Sequence, residues 1–112
     1  MAARPSPVVV HPYRERRLML NWNDRRTAAT FDLHGQTVLE AVANAERFLV
    51  AQARARPGAV VQLITGRGRA GGGAPVRTRV RTLLKRLRES GRVVRDYELD
   101  DGEGAFLVWL LG

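Results

Sequence analysis

Apolar and polar residues follow a regular period only after residue 27 of the 112-residue chain. Residues 30–33 and 59–65 are two short strand candidates. The second of them, AVVQLIT, is β-branched and bounded by turn residues, which is typical of a buried central strand. Residues 93–99 and 105–111 are two further candidates, joined by an acidic turn at residues 100–104. The pattern therefore predicts four strands.

Between these strands, two segments have apolar residues at helical spacing. The first opens at Thr37, with Glu40 three residues later, a spacing that predicts a capping box. The second opens near Pro75 and ends near Gly91, which is placed to cap it. The residues predicted to enter the core are Val38, Ala41, Val42, Ala45, Phe48 and Leu49 of the first helix and Val76, Val80, Leu83, Leu84 and Leu87 of the second.

The predicted order β-α-β-α-β-β places the chain in the α/β class with a mixed sheet that contains parallel pairs. Because there are only two helices, both can cover one face of the sheet, which predicts a two-layer sandwich. The length predicts one domain, since two cores would each be too small. We assign residues 28–112 to this domain and residues 1–27 to a basic, partly flexible N-terminal arm, with Trp22 as its candidate anchor.

Composition excludes several classes of protein. The chain is 45% hydrophobic, as a globular domain is, and it has no cysteine, so disulfides, thiolate metal sites and a thiol nucleophile are excluded. The N-terminal residues lack the apolar run of a signal peptide, and no segment approaches the roughly 20 apolar residues that span a bilayer. A cytoplasmic protein without a membrane partner is expected, with a monomer as the default state.

The net charge of +8 is unevenly distributed. Between Arg54 and Arg95 there are twelve basic residues and one acid, Glu89. From Asp96 onward there are five acids and no base. An arginine-rich composition on ordinary solvated faces is one explanation. A polyanionic partner is the other, because so much like charge in one segment is self-repulsive unless phosphates neutralise it. Nucleic acid is the partner that this charge favours.

The first candidate site is the end of the first predicted strand. Residues two apart in a strand share a face, so Asp32 and His34 point to the same side without being forced into contact. A carboxylate beside an imidazole raises its basicity and fixes its tautomer, which suits His34 for general acid/base catalysis. Asp32 could instead orient the attacking hydroxyl. The structural alternative is a pair that only caps the following turn.

The second candidate site is the glycine-rich loop of residues 64–73, ITGRGRAGGG. Glycines let backbone amides approach an anion closely, a following helix N-terminus adds a favourable dipole, and Arg67 and Arg69 add charged donors. A dinucleotide site is disfavoured, although GxGxxG is present, because the helix starts too late for the first glycines. A flexible surface loop is the remaining alternative.

The second predicted helix adds a basic face. Arg77, Arg81 and Lys85 follow one another at helical spacing, with Arg88 on the same side, and such a face can follow a phosphate backbone. A solvated helix face is the alternative, although ordinary faces mix charges of both signs. The chain has only two histidines and no cysteine, which argues against a structural zinc site, and no metal ligand is assigned.

Together these motifs resemble the Smr domain, a small domain named for its relation to mismatch-repair proteins. Its L-D-x-H-G motif matches FDLHG at residues 31–35, with Phe31 for the leading leucine. Its (H/T)-G-x-G motif matches TGRG at residues 65–68, and its closing G-x-G-A matches GEGA at residues 102–105. The resemblance covers residues 28–112 and implies a fold like the C-terminal domain of bacterial translation initiation factor three.

The resemblance also implies endonuclease activity on RNA or DNA, with the ribosome or branched DNA as larger partners. By position, Asp32 and His34 are then the catalytic pair, and Thr65, Gly66, Arg67 and Gly68 form the phosphate-binding loop. Some nuclease members have histidine where this chain has Thr65, and a hydroxyl cannot titrate near neutral pH. RNA cleavage through the ribose 2′-hydroxyl needs no metal, whereas DNA cleavage would favour Mg²⁺ or Mn²⁺ held partly by Asp32.

Two alternatives to a nuclease remain at this point. A non-catalytic nucleic-acid- or ribosome-binding module is favoured by the charge and by the fold relationship. An adaptor that docks on another protein through residues 1–27 is the less favoured alternative. The sequence decides neither the choice between DNA and RNA nor the structure recognised.

Overall fold

A computed structural model describes residues 8–10, 27–66, 73–99 and 104–112. No helix within these ranges is long and apolar enough to cross a membrane. The elements in chain order are β1 (Val8–Val10), β2 (Thr27–Asp32), α1 (Val38–Ala55), β3 (Val60–Ile64), α2 (Gly73–Glu89), β4 (Val94–Leu99) and β5 (Ala105–Leu110).

The five strands form one mixed sheet in the order β1-β2-β3-β5-β4. β2 and β3 are parallel neighbours joined through α1, and β1 pairs with β2 in the antiparallel sense. β5 is antiparallel to both β3 and β4, so β3 and β4 run in the same direction with β5 between them. The wholly apolar AFLVWL is thus in the interior of the sheet, while the more polar VRDYEL forms an edge.

Both helices pack on the same face of the sheet. Alternate residues of the strands join the buried residues of α1 and α2 in one hydrophobic cluster, as the period-2 pattern of a half-covered sheet requires. All five core residues predicted for α2 are buried. Of the core residues predicted for α1, Val38 and Val42 are partly exposed and the others are buried. The predicted two-layer α/β sandwich with the order β-α-β-α-β-β is confirmed for the domain.

The helix ends form as their sequences predict. The Thr37 hydroxyl accepts a hydrogen bond from the Glu40 N–H, and the Glu40 carboxylate accepts one from the Thr37 N–H, which completes the capping box. At the end of α2, the Arg92 N–H donates to the Leu87 carbonyl and the Gly91 N–H to the Arg88 carbonyl. Gly91 adopts the positive φ of +70° that this Schellman arrangement needs.

The structure differs from the expected elements in two places. Within the predicted arm, the three valines of β1 pair with β2. β1 is too short to show a period in the sequence. β2 itself begins three residues earlier than predicted, at Thr27, because pairing with β3 starts there across a bulge. Most of the glycine-rich loop (residues 67–72), most of the acidic turn (residues 100–103) and Trp22 lie outside the described residues.

Candidate nucleic-acid site

One edge of the sheet gathers the chain segments that carry the motifs. Asp32 at the end of β2 lies opposite Ile64 at the end of β3, because these strands are parallel and in register. Ile64 in turn lies opposite Ala105, the first residue of β5. The loops that lead into both helices and the turn between β4 and β5 therefore leave the sheet at this edge, where open α/β sheets bind ligands.

Asp32 and His34 are in direct contact. The His34 N–H donates to Oδ1 of Asp32 at 2.9 Å, and the ring Nδ1 of His34 lies 3.3 Å from the same oxygen. The side chain of His34 is 69% exposed and that of Asp32 is 41% exposed. A carboxylate oxygen beside Nδ1 favours the tautomer with its proton on that nitrogen, which leaves Nε2 as a base for an external group.

Backbone and side-chain contacts fix the loop that carries this pair. The Leu33 N–H donates to the Ile64 carbonyl at 2.7 Å, so the chain is held on β3 up to the residue before His34. Beyond Gly35, the side-chain carbonyl of Gln36 accepts a hydrogen bond from the Asn44 amide at 2.9 Å. The Asp32 carboxylate caps this turn by accepting the His34 N–H, as the structural alternative predicts, and this contact is compatible with the predicted catalytic role.

Gly35 has a φ of +87° and no atom within 4 Å of the position of a Cβ, and Gly91 at the end of α2 has a φ of +70° and the same open surroundings. An alanine at either position meets only the backbone penalty of about 1–2 kcal/mol. We expect Gly35→Ala and Gly91→Ala to lower the free energy of unfolding by similar amounts in denaturant titrations.

Only the first of these variants changes the loop of His34. For the endonuclease activity that the family resemblance implies, we therefore expect cleavage of a labelled oligonucleotide to be much slower with Gly35→Ala than with Gly91→Ala, measured where both proteins are fully folded. Equal cleavage by the two variants would show that the conformation of this loop does not matter for the reaction.

The start of the glycine-rich loop is tied to the third motif. The backbone N–H groups of Thr65 and Gly66 both donate to the carbonyl of Gly104, at 2.8 and 3.0 Å. Thr65 is only 1% exposed, and its Oγ1 lies 3.4 Å from the carbonyl oxygens of Gly66 and Gly104. In this conformation the Thr65 side chain faces the protein, and neither amide is free for a phosphate.

This link between Gly104 and the loop was missed by the sequence analysis, although the signal for it was present. GEGA was recognised as a motif without a role. Its last residue, Ala105, opens β5, and the antiparallel pairing of Ile64 with Ala105 places the preceding Gly104 beside Thr65. The predicted residues Arg67, Gly68 and Arg69 lie outside the described residues, so their role stays a prediction.

The basic residues of α2 differ in their contacts. Arg86 lies 3.7 Å from Glu46 of α1, and Arg79 lines the surface between the helices. Arg88 bonds to Asp96 of β4 at 3.1 Å and lies over the Tyr97 ring, so this residue of the predicted basic face is already engaged within the protein. The three residues that keep the four-residue spacing of that face are Arg77, which is half-buried, and Arg81 and Lys85, which are exposed.

The described residues contain no group of three or more histidine, aspartate or glutamate side chains close enough to hold a metal ion. Among the described residues, Asp32 is the carboxylate that contacts His34. Any divalent ion held there would need further ligands from nucleic-acid oxygens, from water or from the rest of the chain.

Comparison with known protein families agrees with this geometry. The model of the Smr domain matches residues 31–111, a span that holds all three motifs and runs from the end of β2 to the residue after β5. A search of curated proteins found no match. Smr domains are nucleic-acid-binding modules and are often nuclease-like. Since this match covers most of the length of the chain, the chain belongs to the Smr domain family.

Proposed function

We propose that this protein is an endonuclease that cleaves or nicks phosphodiester bonds in nucleic acid, with RNA as the favoured substrate. The observation that carries the proposal is the contact between Asp32 and His34 on an exposed strand-end loop of an Smr domain. The carboxylate holds one ring nitrogen, and the other is available to a substrate hydroxyl.

On RNA, Nε2 of His34 takes the proton of a ribose 2′-hydroxyl. The 2′-oxygen then attacks the adjacent phosphorus, the bond from phosphorus to the 5′-oxygen breaks, and that oxygen takes up a proton from water as it leaves, after which the His34 imidazolium returns its proton to water. The products are a 2′,3′-cyclic phosphate and a 5′-hydroxyl. Asp32 orients the ring and stabilises the imidazolium that forms, which is the role of a carboxylate hydrogen-bonded to a catalytic histidine.

DNA has no 2′-hydroxyl, so a water molecule must attack instead. In that case Asp32 would share the binding of a divalent ion, Mg²⁺ or Mn²⁺, which lowers the pKa of a bound water. Ribosome-bound messenger RNA and branched DNA are the larger substrates in which the two forms of this reaction would occur.

The phosphate backbone is proposed to lie along Arg77, Arg81 and Lys85 of α2 and to reach the glycine-rich loop. Within that loop, Arg67, Gly68 and Arg69 are proposed as the direct contacts. Because the Thr65 side chain is buried, we assign Thr65 and Gly66 an indirect role. Their backbone hydrogen bonds to Gly104 hold the start of the loop in place. Under this proposal, the side chain at position 65 does not face the phosphate, so threonine in place of histidine costs no phosphate contact.

The test is cleavage of end-labelled RNA and DNA, single- and double-stranded, with and without a chelator. We expect RNA to be cut in the presence of chelator and to leave 2′,3′-cyclic phosphate ends, identified by their mobility and by resistance to phosphatase. Cleavage of DNA alone, abolished by the chelator, would replace the first mechanism with the second. No cleavage of any substrate would reject the endonuclease.

A second candidate function is a non-catalytic nucleic-acid-binding module. The observation that favours it is the engagement of the Thr65 and Gly66 amides by Gly104, which leaves neither of these two amides free for a phosphate. In such a module, the Asp32→Asn variant would bind nucleic acid as tightly as wild type does. Neither protein would cleave RNA or DNA.

Both candidate functions require the basic face of α2, and its contribution is measurable through salt. We expect wild-type binding to weaken steeply as salt rises, because bound phosphates release counterions. The double variant Arg81→Ala, Lys85→Ala should reduce the slope of log K against log salt by about 1.4–1.8, the value for two lost contacts.

The matched control is Arg88→Ala on the same helix, because Arg88 is already paired with Asp96. Its slope should stay within error of wild type in fluorescence anisotropy titrations. A slope that the double variant leaves unchanged would show that nucleic acid does not follow this face of α2.

A further inference from the structure

A depression lies between the first residue of α1 and the first two turns of α2, outside the residues already assigned to the candidate site. It is lined by Val38 of α1 and by Pro75, Thr78 and Arg79 of α2. Its volume is about 410 Å³, within the usual range of sites for small molecules. Val38 is four residues after His34, so the depression opens at the same edge of the sheet.

The lining suits a flat heteroaromatic group. Val38 and Pro75 supply apolar surface, and Thr78 supplies a hydroxyl that can donate to or accept from the edge of a base. Arg79 is exposed, and among the described residues it pairs with no acid. A guanidinium can stack on a base or bind its phosphate, and both contacts are common in the recognition of unpaired nucleotides.

The apolar surface extends beyond the depression along the helices. A smaller recess shares Val38 and Arg79 with it and is also lined by Leu39 and Val42. Leu39 is 79% exposed and is the only large apolar side chain so exposed in the described part of the chain. A nucleotide in the depression would therefore have further apolar surface beside it.

We propose that this depression binds the base of a nucleotide next to the phosphate at His34, and that the protein therefore selects nucleic acid with an unpaired nucleotide at that position. The inference rests on the proposed function for the position of the phosphate. A base inside a duplex is stacked and paired, so it can enter the depression only after it leaves the helix.

The test compares a nucleoside 5′-monophosphate with ribose 5-phosphate, which has the same phosphate and sugar but no base. Both are titrated into the full-length protein, with binding followed by the amide resonances of isotope-labelled protein. We expect the nucleotide to bind about fivefold more tightly, the lower limit for one stacked base. We also expect only the nucleotide to shift the resonances of Val38, Thr78 and Arg79.

Two neighbouring variants make the test specific. Arg79→Ala should lower the preference for the nucleotide over ribose 5-phosphate, whereas Arg81→Ala should weaken both ligands equally and leave the preference unchanged. Thr78→Leu, at an exposed position, should reduce the preference by narrowing the depression while leaving ribose 5-phosphate binding as in wild type.

The readout is binding, so it is independent of cleavage. An inactive protein that prefers the nucleotide would reject the endonuclease and keep this inference. Equal affinity for the two ligands, with shifts confined to His34 and Gly66, would overturn the inference and leave the depression as a surface for a protein partner.

Discussion

His34→Ala is expected to lower the rate of RNA cleavage by roughly 10²–10⁴-fold, the usual contribution of a positioned general base. The variant removes the one imidazole among the described residues of the candidate site while leaving the Asp32 carboxylate and the backbone N–H that it accepts. Because the side chain is 69% exposed, its loss should change the free energy of unfolding by no more than about 0.5 kcal/mol. Single-turnover cleavage, beside denaturant titration, measures both effects.

Asp32→Asn is the matched variant for the second member of the pair. The amide oxygen of asparagine can still accept the His34 N–H, so the turn is preserved while the negative charge beside Nδ1 is lost. We expect a smaller decrease in rate than for His34→Ala, with nucleic-acid affinity unchanged or slightly increased. Equal cleavage by wild type and His34→Ala would point to a contaminating nuclease and would reject the role of His34.

Most of the fold could be predicted because its signals are local. The capping box of α1 depends on two residues three apart, and the end of α2 depends on Gly91. The apolar faces of both helices depend on spacing alone, and β3, predicted as a buried central strand from its β-branched residues, is the third of the five strands. Each of these features is determined within a few residues of the chain.

The features that could not be predicted depend on pairing between distant segments. The contact of Thr65 with Gly104 joins residues 39 positions apart, and nothing near Thr65 in the sequence indicates that its side chain is buried. The strand β1 is three residues long and is recognisable only by its partner β2. The direct contact of Asp32 with His34 was left open because a spacing of two residues allows it without requiring it.

These distant contacts give the three motifs a common physical role. The first motif carries the Asp32–His34 pair, and the Leu33 N–H holds it on the end of β3. The second motif continues from that same strand end, and the third accepts its first two amides through Gly104. Damage to the pairing of β3 with β5 should therefore displace the glycine-rich loop as well as weaken the core.

Phe106 contributes both to the pairing of β3 with β5 and to the stability of the domain. It is 1% exposed on interior strand β5, opposite Leu63 of β3 and Leu99 of β4, with its ring 6.2 Å from that of Tyr97. Truncation to alanine removes the ring and leaves a cavity that strands paired on both sides cannot readily close.

We expect Phe106→Ala to lower the free energy of unfolding by about 3–5 kcal/mol, a large fraction of the 5–15 kcal/mol that holds a typical domain folded. Urea titration should show the loss as a lower midpoint with an unchanged slope. Leu39→Ala is the control, because it truncates a large apolar side chain that is 79% exposed and should change stability by no more than about 0.5 kcal/mol. A decrease in the free energy of unfolding for Phe106→Ala as small as that for Leu39→Ala would mean that Phe106 is not part of the core. The attachment of Gly104 to Thr65 through β5 would then lose its structural basis.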